Sequence, residues 1–320
     1  MIGRLLGQLC GYERVGRIKY RLKFSSPSLF NHYHREFPKY IQIQTSSYCD
    51  AHCVYCPYQD VVKKLPQGKM EWELFKKIID ECARYKGKVH QIIPYFMNEP
   101  LIDKDIIRCI EYIKRYGFYV NFATNAGHLT PKISQKLKDY RVDLAVINMP
   151  SIDEDEYHKN IPNIKFQRVM ENINNFIECT QDAKGMERVI QINRTKETEE
   201  KLILRSIKHW EDKGVKVQIR DIMDRAGSLR RFSQNIRFTN LKGCRTNRHL
   251  YWFHILFNGD VILCCQDWER KQILGEIRNK SIYEVYHNRQ YFHIRRQIEG
   301  LEKFSDLICT KCEFAIDEKA

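Results

Sequence analysis

The sequence lacks an N-terminal secretory signal, because Met1-Ile-Gly-Arg-Leu-Leu-Gly7 is too short and too soon charged. It also lacks an apolar run long enough to cross a membrane. Together these absences argue against a secreted disulfide scaffold, although the chain has twelve cysteines. Reduced thiols in a cytoplasmic protein are the expectation, with no membrane partner. A third absence concerns the charge of +14. Its carriers, among them Arg14, Arg17, Lys19, Arg21, Lys23, Lys63, Lys64, Arg225, Arg230 and Arg231, are scattered. No basic run is interleaved with aromatics as a platform for single-stranded RNA would be. Nucleic acid therefore ranks below a solvated basic surface, an anionic substrate or an acidic protein partner. At 320 residues the chain is a large domain, or a large domain with a small one.

What is present is a cysteine loop, Thr45-Ser-Ser-Tyr-Cys49-Asp-Ala-His-Cys53-Val-Tyr-Cys56-Pro57. It follows Tyr40-Ile-Gln-Ile-Gln-Thr45, whose alternation reads as a strand. Three thiols spaced C-x3-C-x2-C in a compact loop can converge on one cubic iron–sulfur cluster and leave one iron open. A structural zinc site or three unrelated core cysteines are the alternatives. Zinc takes four ligands, and no fourth cysteine follows locally, although His52 lies in the loop.

From Tyr40 onward, strands and helices alternate. Val89–Met97, Phe118–Ala123, Val142–Met149, Val189–Asn193 and Val215–Arg220 read as strands after the first. Helical spacing links Trp72, Phe75, Ile78, Ile79, Cys82 and Tyr85, then Ile106, Ile107, Ile110 and Ile113. Cys82 and Cys109 therefore read as core residues. Further helices begin near Pro131 and span Phe166–Cys179 and Glu199–Lys213. Six β/α units in succession demand parallel strands with right-handed crossovers. Functional groups then belong at the strands' C-terminal ends, where Glu99, Asn98, Thr124, Asn125, Arg194, Arg220 and Asp221 fall. His90, His128 and His158 show no partner pattern.

The composition changes near Phe238. Cys244 is followed by apolar segments flanking Asn258-Gly259, a hairpin signal suited to a type I′ turn, and then by Cys264-Cys265. Leu274-Gly-Glu-Ile277 comes next, and Ser281-Ile-Tyr-Glu284 is a capping-box signature opening a helix through about Gln297. The tail closes on Cys309-Thr-Lys-Cys312.

The first cysteine spacing, with Tyr55 before Cys56, resembles the radical S-adenosylmethionine (radical SAM) superfamily. Met97-Asn-Glu-Pro100 resembles its Gly-Gly-Glu-Pro motif, with Met97 and Asn98 in place of the glycines. Thr124-Asn-Ala126 resembles its Thr-Asn-Gly stretch. The tail resembles the auxiliary-cluster extension known as SPASM, in its shortened "twitch" form. The implied fold is α/β, a partial (β/α)6 barrel followed by a small α+β domain of hairpin plus helix. Residues 1–38 form an N-terminal helical and extended segment, 39–235 the barrel and 236–320 the auxiliary-cluster domain. The resemblance implies a SAM-binding [4Fe–4S] cluster on Cys49, Cys53 and Cys56. It implies a second [4Fe–4S] cluster on Cys244, Cys264, Cys309 and Cys312, with Cys264 preferred to Cys265 and zinc as the alternative metal. Glu99, Asn98, Thr124, Asn125 and Arg194 are the implied SAM contacts.

The implied reaction begins with reductive cleavage of SAM to a 5′-deoxyadenosyl radical. That radical abstracts hydrogen from a small hydroxylated substrate, sugar- or cyclitol-like, and the second cluster takes an electron. The enzyme is then a dehydrogenase, fed by an acidic donor such as flavodoxin or ferredoxin. Peptide or protein modification is the alternative, and RNA modification stands below it. No residue stands out as the general base.

Overall fold

The computed structural model describes residues 37–195, 197–232, 237–304 and 306–317. The expectation for the N-terminal segment thus falls almost wholly outside the described residues.

Six parallel strands carry the first part of the chain: β1 (Tyr40–Ile43), β2 (Gln91–Ile93), β3 (Asn121–Thr124), β4 (Leu144–Asn148), β5 (Glu187–Arg194) and β6 (Lys216–Asp221). β1 pairs with β2, and β3 through β6 pair in sequence, all in parallel. A single parallel bridge, Ile92 to Val120, joins the two sets. The helices following the strands are α1 (Trp72–Arg84), α2 (Ile106–Arg115), α3 (Pro131–Asp139), α4 (Glu154–Asn160), α5 (Phe166–Thr180) and α6 (Glu200–Glu211). α4 is an extra turn of helix that periodicity missed. Strand and helix apolar faces meet in one core including Ile41, Ile43, Ile92, Phe122, Ile147, Ile190, Ile192, Phe75, Ile110 and Phe176. Cys82 and Cys109 are buried in it, as their helical positions foretold. β6 is mostly exposed and ends the row, so the barrel is open.

The second strand is much shorter than Val89–Met97. Pro94 has no N–H to give the ladder, and the carbonyls of Tyr95 and Phe96 accept from the side chains of Gln42 and Gln44. Met97 then turns to φ 52°, which ends the extended run.

The tail does not stand apart from the barrel. After β7 (Leu241–Cys244) and a short α7 (Arg248–Tyr251), β8 (Trp252–Ile255) pairs in parallel with β1. β9 (Asp260–Ile262) and β10 (Ile273–Glu276) follow antiparallel, giving the sheet order β10-β9-β8-β1-β2. β7 pairs separately with β11 (Ala315–Asp317). On the outside, Lys77 and Glu81 of α1 hold the tail. The Lys77 ammonium donates to the carbonyls of Ile277, Arg278 and Lys280 at 2.7–3.0 Å. The buried Glu81 carboxylate accepts from the backbone N–H groups of Ile282 and Tyr283.

Two local expectations need correction. The hairpin at Asn258-Gly259 is not type I′, since Gly259 has φ 88° while Asn258 is not in the positive-φ region. The Gly259 N–H bonds the Leu256 carbonyl, so a three-residue loop ends on a left-handed glycine. The Asn258 amide instead accepts from the Asp260 N–H and donates to its carboxylate. The capped tail helix is also two helices. α8 (Ile282–Tyr286) has the full Ser281–Glu284 capping box. Asn288 then caps a second start at α9 (Arg289–Ile298), accepting from the Tyr291 N–H while its amide donates to the Leu274 carbonyl of β10. Among the described residues no helix is long and apolar enough to cross a membrane.

Gly300, at φ 69°, ends α9 directly against β7. A Cβ there would meet the backbone carbonyl of Leu241, which cannot rotate away. Gly300→Ala should cost about 2 kcal/mol or more and loosen the strand carrying Cys244. Thermal unfolding will show a lowered midpoint.

Candidate metal centres and cofactor cleft

The loop leaving β1 is fixed before any ligand is considered. The Tyr58 hydroxyl accepts from the Cys49 N–H and donates to the Ser47 carbonyl, drawing the ends of the loop together. Asn163 bridges the Asp50 carbonyl and the His52 N–H at 2.6 and 2.7 Å. The Val54 N–H donates to the carbonyl of Asn160, at the end of α4. Cys49, Cys53 and Cys56 are thereby held together. Burial pushes all three thiols upward, and the nearby thiols push Cys49 and Cys53 further. Thiolates gathered in one half-buried loop would require a compensating cation, a charge that iron bound there would supply. His52 is exposed.

At the end of β2, Glu99 is buried. Its Oε1 accepts from the Thr124 hydroxyl at 2.6 Å and the Leu101 N–H at 3.1 Å, and Oε2 accepts from the Asn125 N–H at 2.8 Å. The structure thus brings Glu99, Thr124 and Asn125 into one hydrogen-bonded unit. A carboxylate offers about four lone-pair positions, so a further donor can still be accepted. Burial pushes Glu99 up to about 7 despite the pull of its three donors. Asn98 has its carbonyl on the Phe96 N–H, while its buried Nδ2 has no partner among the described residues. That orphaned donor, together with the spare acceptor on Glu99, fits a zwitterionic amino-acid group such as that of SAM. Arg194 differs: it forms an exposed ion pair with Asp221 at 2.6 Å, at the ends of β5 and β6.

Sequence reading missed the links made by His128 and Asn148. His128 bonds the Asp50 carboxylate at 2.7 Å, and Asn125 also reaches it at 3.3 Å, tying the third strand end to the cysteine loop. Buried Tyr55 accepts from the Asn148 amide at 2.9 Å, and the Asn148 carbonyl accepts from Asn193 at 2.7 Å. The position of His128, immediately after Thr124-Asn-Ala-Gly127, was the available signal. Asn148 and Asn193 likewise sit on strand ends facing the loop.

The tail thiols form a second group. Cys244, Cys264, Cys309 and Cys312 line one cavity, with Arg248 and His249 beside them. Cys244 lies at the end of β7, Cys264 after β9, and Cys309 in the short turn Ile308–Lys311. Burial pushes Cys309 up and brings Cys312 to about 12. Burial also raises Cys244, but hydrogen bonding to His249 and Thr246 outweighs it, leaving that thiol at about 7. His249 is itself buried and bonded to Glu299 at 2.9 Å. Four convergent thiols with a guanidinium nearby fit a tetrathiolate iron–sulfur cluster. Cys265 is not among the lining residues. It packs with Tyr58, Phe96, Met97 and Trp268, a group that also touches Cys49 and Cys56. A hydrogen bond between Cys264 and Cys265 pushes Cys264 up and Cys265 down.

Glu99 makes stability depend on pH. Its carboxyl is held at about 7 against an ordinary 4.5, which favours the protonated form in the folded chain. That contribution is complete below pH 4.5, declines as the unfolded chain ionises, and is gone once pH passes 7. Without SAM, the wild-type protein should lose about 3 kcal/mol across this window through Glu99. Glu99→Gln should remove that slope, as unfolding midpoints measured at intervals from pH 4.5 to 8 will register.

Comparison with known proteins agrees with this geometry. Residues 43–205 match the family model described as the radical SAM superfamily, and residues 244–313 match the SPASM iron–sulfur cluster-binding domain. The tungsten-containing aldehyde ferredoxin oxidoreductase cofactor-modifying protein of Pyrococcus furiosus is 26% identical over 35% of this chain, a match spanning only 30% of that relative. The S-adenosyl-L-methionine-dependent 2-deoxy-scyllo-inosamine dehydrogenase of Niallia circulans is 23% identical over 85% of this chain and 91% of its own length. A crystal structure of Streptococcus suis SuiB bound to its precursor peptide SuiA shares the fold, with a TM-score of 0.67 at 15% identity over 90% of this chain and 72% of that one. SAM and [4Fe–4S] clusters are the cofactors these domains use. With its open parallel barrel and its SPASM tail, the chain belongs to the radical SAM superfamily.

Proposed function

We propose that this enzyme oxidises a small hydroxyl-bearing substrate, sugar- or cyclitol-like, by two electrons. The observation that carries the reading is the presence of two separate sets of clustered thiols in one chain. Cys49, Cys53 and Cys56 hold the cluster that binds SAM. Cys244, Cys264, Cys309 and Cys312 hold the auxiliary cluster, within a tail domain of residues 236–320 behind a barrel of residues 39–235. When bound, SAM and the first cluster supply a radical that takes hydrogen, and the auxiliary cluster supplies an acceptor for the electron left on the substrate.

The chain's own residues do the positioning. Glu99 accepts from the SAM amino group while Thr124 and the Asn125 N–H hold its carboxylate in place. Asn98 offers its free amide to the SAM carboxylate. Arg194 reaches it only by leaving Asp221. Tyr55, Asn148 and Asn193 form a rigid polar wall against the cysteine loop. Cys244, held near 7, is poised to ligate as thiolate at neutral pH. The relative that matches along nearly its whole length bears the name of a dehydrogenase, which supports this choice. A charge of +14 suits an acidic one-electron donor such as flavodoxin or ferredoxin.

Modification of a peptide is the second reading, motivated by the fold shared with peptide-bound SuiB. Anaerobic turnover separates the two. Changing Cys49, Cys53 and Cys56 together to Ala should abolish 5′-deoxyadenosine formation with dithionite. Cys309→Ala with Cys312→Ala should leave that cleavage intact and remove oxidised product. In the wild-type protein, ketone and 5′-deoxyadenosine should accumulate at about one to one. Many turnovers per SAM, or full turnover without the tail cluster, would rule the oxidation out. Product found only with a peptide would establish the second reading instead.

A further inference from the structure

His254 lies on β8, in register with Gln42 of β1, and is fully buried. The Gln42 amide nitrogen donates to the Tyr95 carbonyl at 3.2 Å, so the amide oxygen must be the end facing His254. That oxygen lies 3.0 Å from His254 Nδ1. An amide oxygen only accepts, so Nδ1 carries the ring proton and Nε2 presents a bare lone pair. Nε2 is buried and has no hydrogen-bond partner among the described residues. A ring nitrogen of His254 and the sulfurs of Cys264 and Cys265 all lie within 4.8 Å of one another.

A neutral imidazole with its far N–H anchored on a carbonyl oxygen is the usual arrangement of a metal-ligating histidine. We propose that His254, Cys264 and Cys265 form a mononuclear site for one thiophilic divalent ion such as Zn2+ or Fe2+. The site is separate from the SAM-binding cluster and shares Cys264 with the auxiliary one. Two thiolates and a neutral imidazole balance the ion's charge, and three protein donors leave a fourth position open. In the reconstituted protein Cys264 is already a thiolate on the auxiliary cluster, so binding displaces one thiol proton, that of Cys265, to solvent, with no change of oxidation state. Cys264 also lines the auxiliary cavity, and a thiolate sulfur has lone pairs enough to bridge the two metals. The proposal goes beyond the oxidation reading and shares only Cys264 with it.

The test uses the reconstituted protein and zinc alone as probe. After anaerobic incubation and desalting, elemental analysis should find one zinc per chain beyond the iron. Zinc-edge absorption should show a mixed sulfur and nitrogen shell with Zn–S near about 2.3 Å. Cys265→Ser and His254→Gln should each lose the zinc and keep the wild-type iron. Gln42→Leu, which unfastens the ring, should weaken zinc binding about 10- to 100-fold. Cys309→Ala with Cys312→Ala should lose the tail iron and keep the zinc, so failure of the cluster assignment is read separately. No zinc in the wild-type protein would overturn the site, leaving His254 as a partner for a thiol proton. Loss of the tail iron on changing His254 or Cys265 would overturn it too, because those residues would then be cluster ligands.

Discussion

The parallel pairing of β8 with β1 is the constraint on which both thiol groups depend. β1 carries the first cysteine loop, and β8 opens the hairpin that carries Cys264 and Cys265. Without that pairing the tail would be an appendage tethered through one segment. With it, Gln42 of β1 touches His254 of β8, and the backbone of Gln44 bonds Ile255 at 2.8 Å. The outer grip of Lys77 and Glu81 on the tail adds bonds from a second direction. A displacement of the hairpin would therefore disturb the loop, the buried polar contacts and the α1 face together. Strongly coupled elements of this kind respond as one body.

The first cysteine loop, the β/α alternation and the core positions of Cys82 and Cys109 were legible because each depends on spacing within one short stretch, whereas the tail thiols, spread from Cys244 to Cys312, were grouped only through the family resemblance. Periodicity shows which face of a helix is apolar, and a compact loop shows which thiols can meet. What escaped depends on partners far along the chain. The pairing of His254 with Gln42 spans 212 residues, and that of His128 with Asp50 spans 78. No local pattern announces either. The second strand was overextended because its apolar residues continue past Pro94, while its later carbonyls were committed to Gln42 and Gln44. The tail helix looked continuous because its apolar spacing survives the break, and only Asn288 marked a new cap. At Asn258-Gly259 the pair was right for a hairpin, but its conformation was chosen by the bonds between Asn258 and Asp260.

The strand end at Met97 shows where backbone need and side-chain need part company. Glycine, the residue of the family motif that Met97 replaces, would reach a left-handed conformation at no steric cost. Met97 adopts it at φ 52° all the same, at a cost of about 1 kcal/mol. Its side chain is buried with Tyr58, Phe96 and Trp268, and that burial offsets the strain. The turn also places Asn98 so that its carbonyl satisfies the Phe96 N–H and its amide is left facing outward from that bond. Two substitutions that look disruptive in sequence thus preserve the turn and add a polar donor beside Glu99.

Charge completes the relation between the two centres. Arg225 sits in the turn after β6 at φ 56°, with its Nε buried and lacking a partner among the described residues. Its guanidinium favours the thiolate at Cys56 and also at Cys265, so one cation acts on both thiol groups. Arg248 does the same for Cys264 and Cys312. Both arginines are half-buried; Arg225 lies within electrostatic reach of the Glu313 carboxylate, and Arg248 is hydrogen-bonded to the Cys264 thiol. Thiolates formed at Cys56, Cys264, Cys265 or Cys312 would be counter-charges for these two arginines. Positive charge held in place there would ease reduction of a metal bound at either thiol group, which is the electrostatic condition that the proposed oxidation requires.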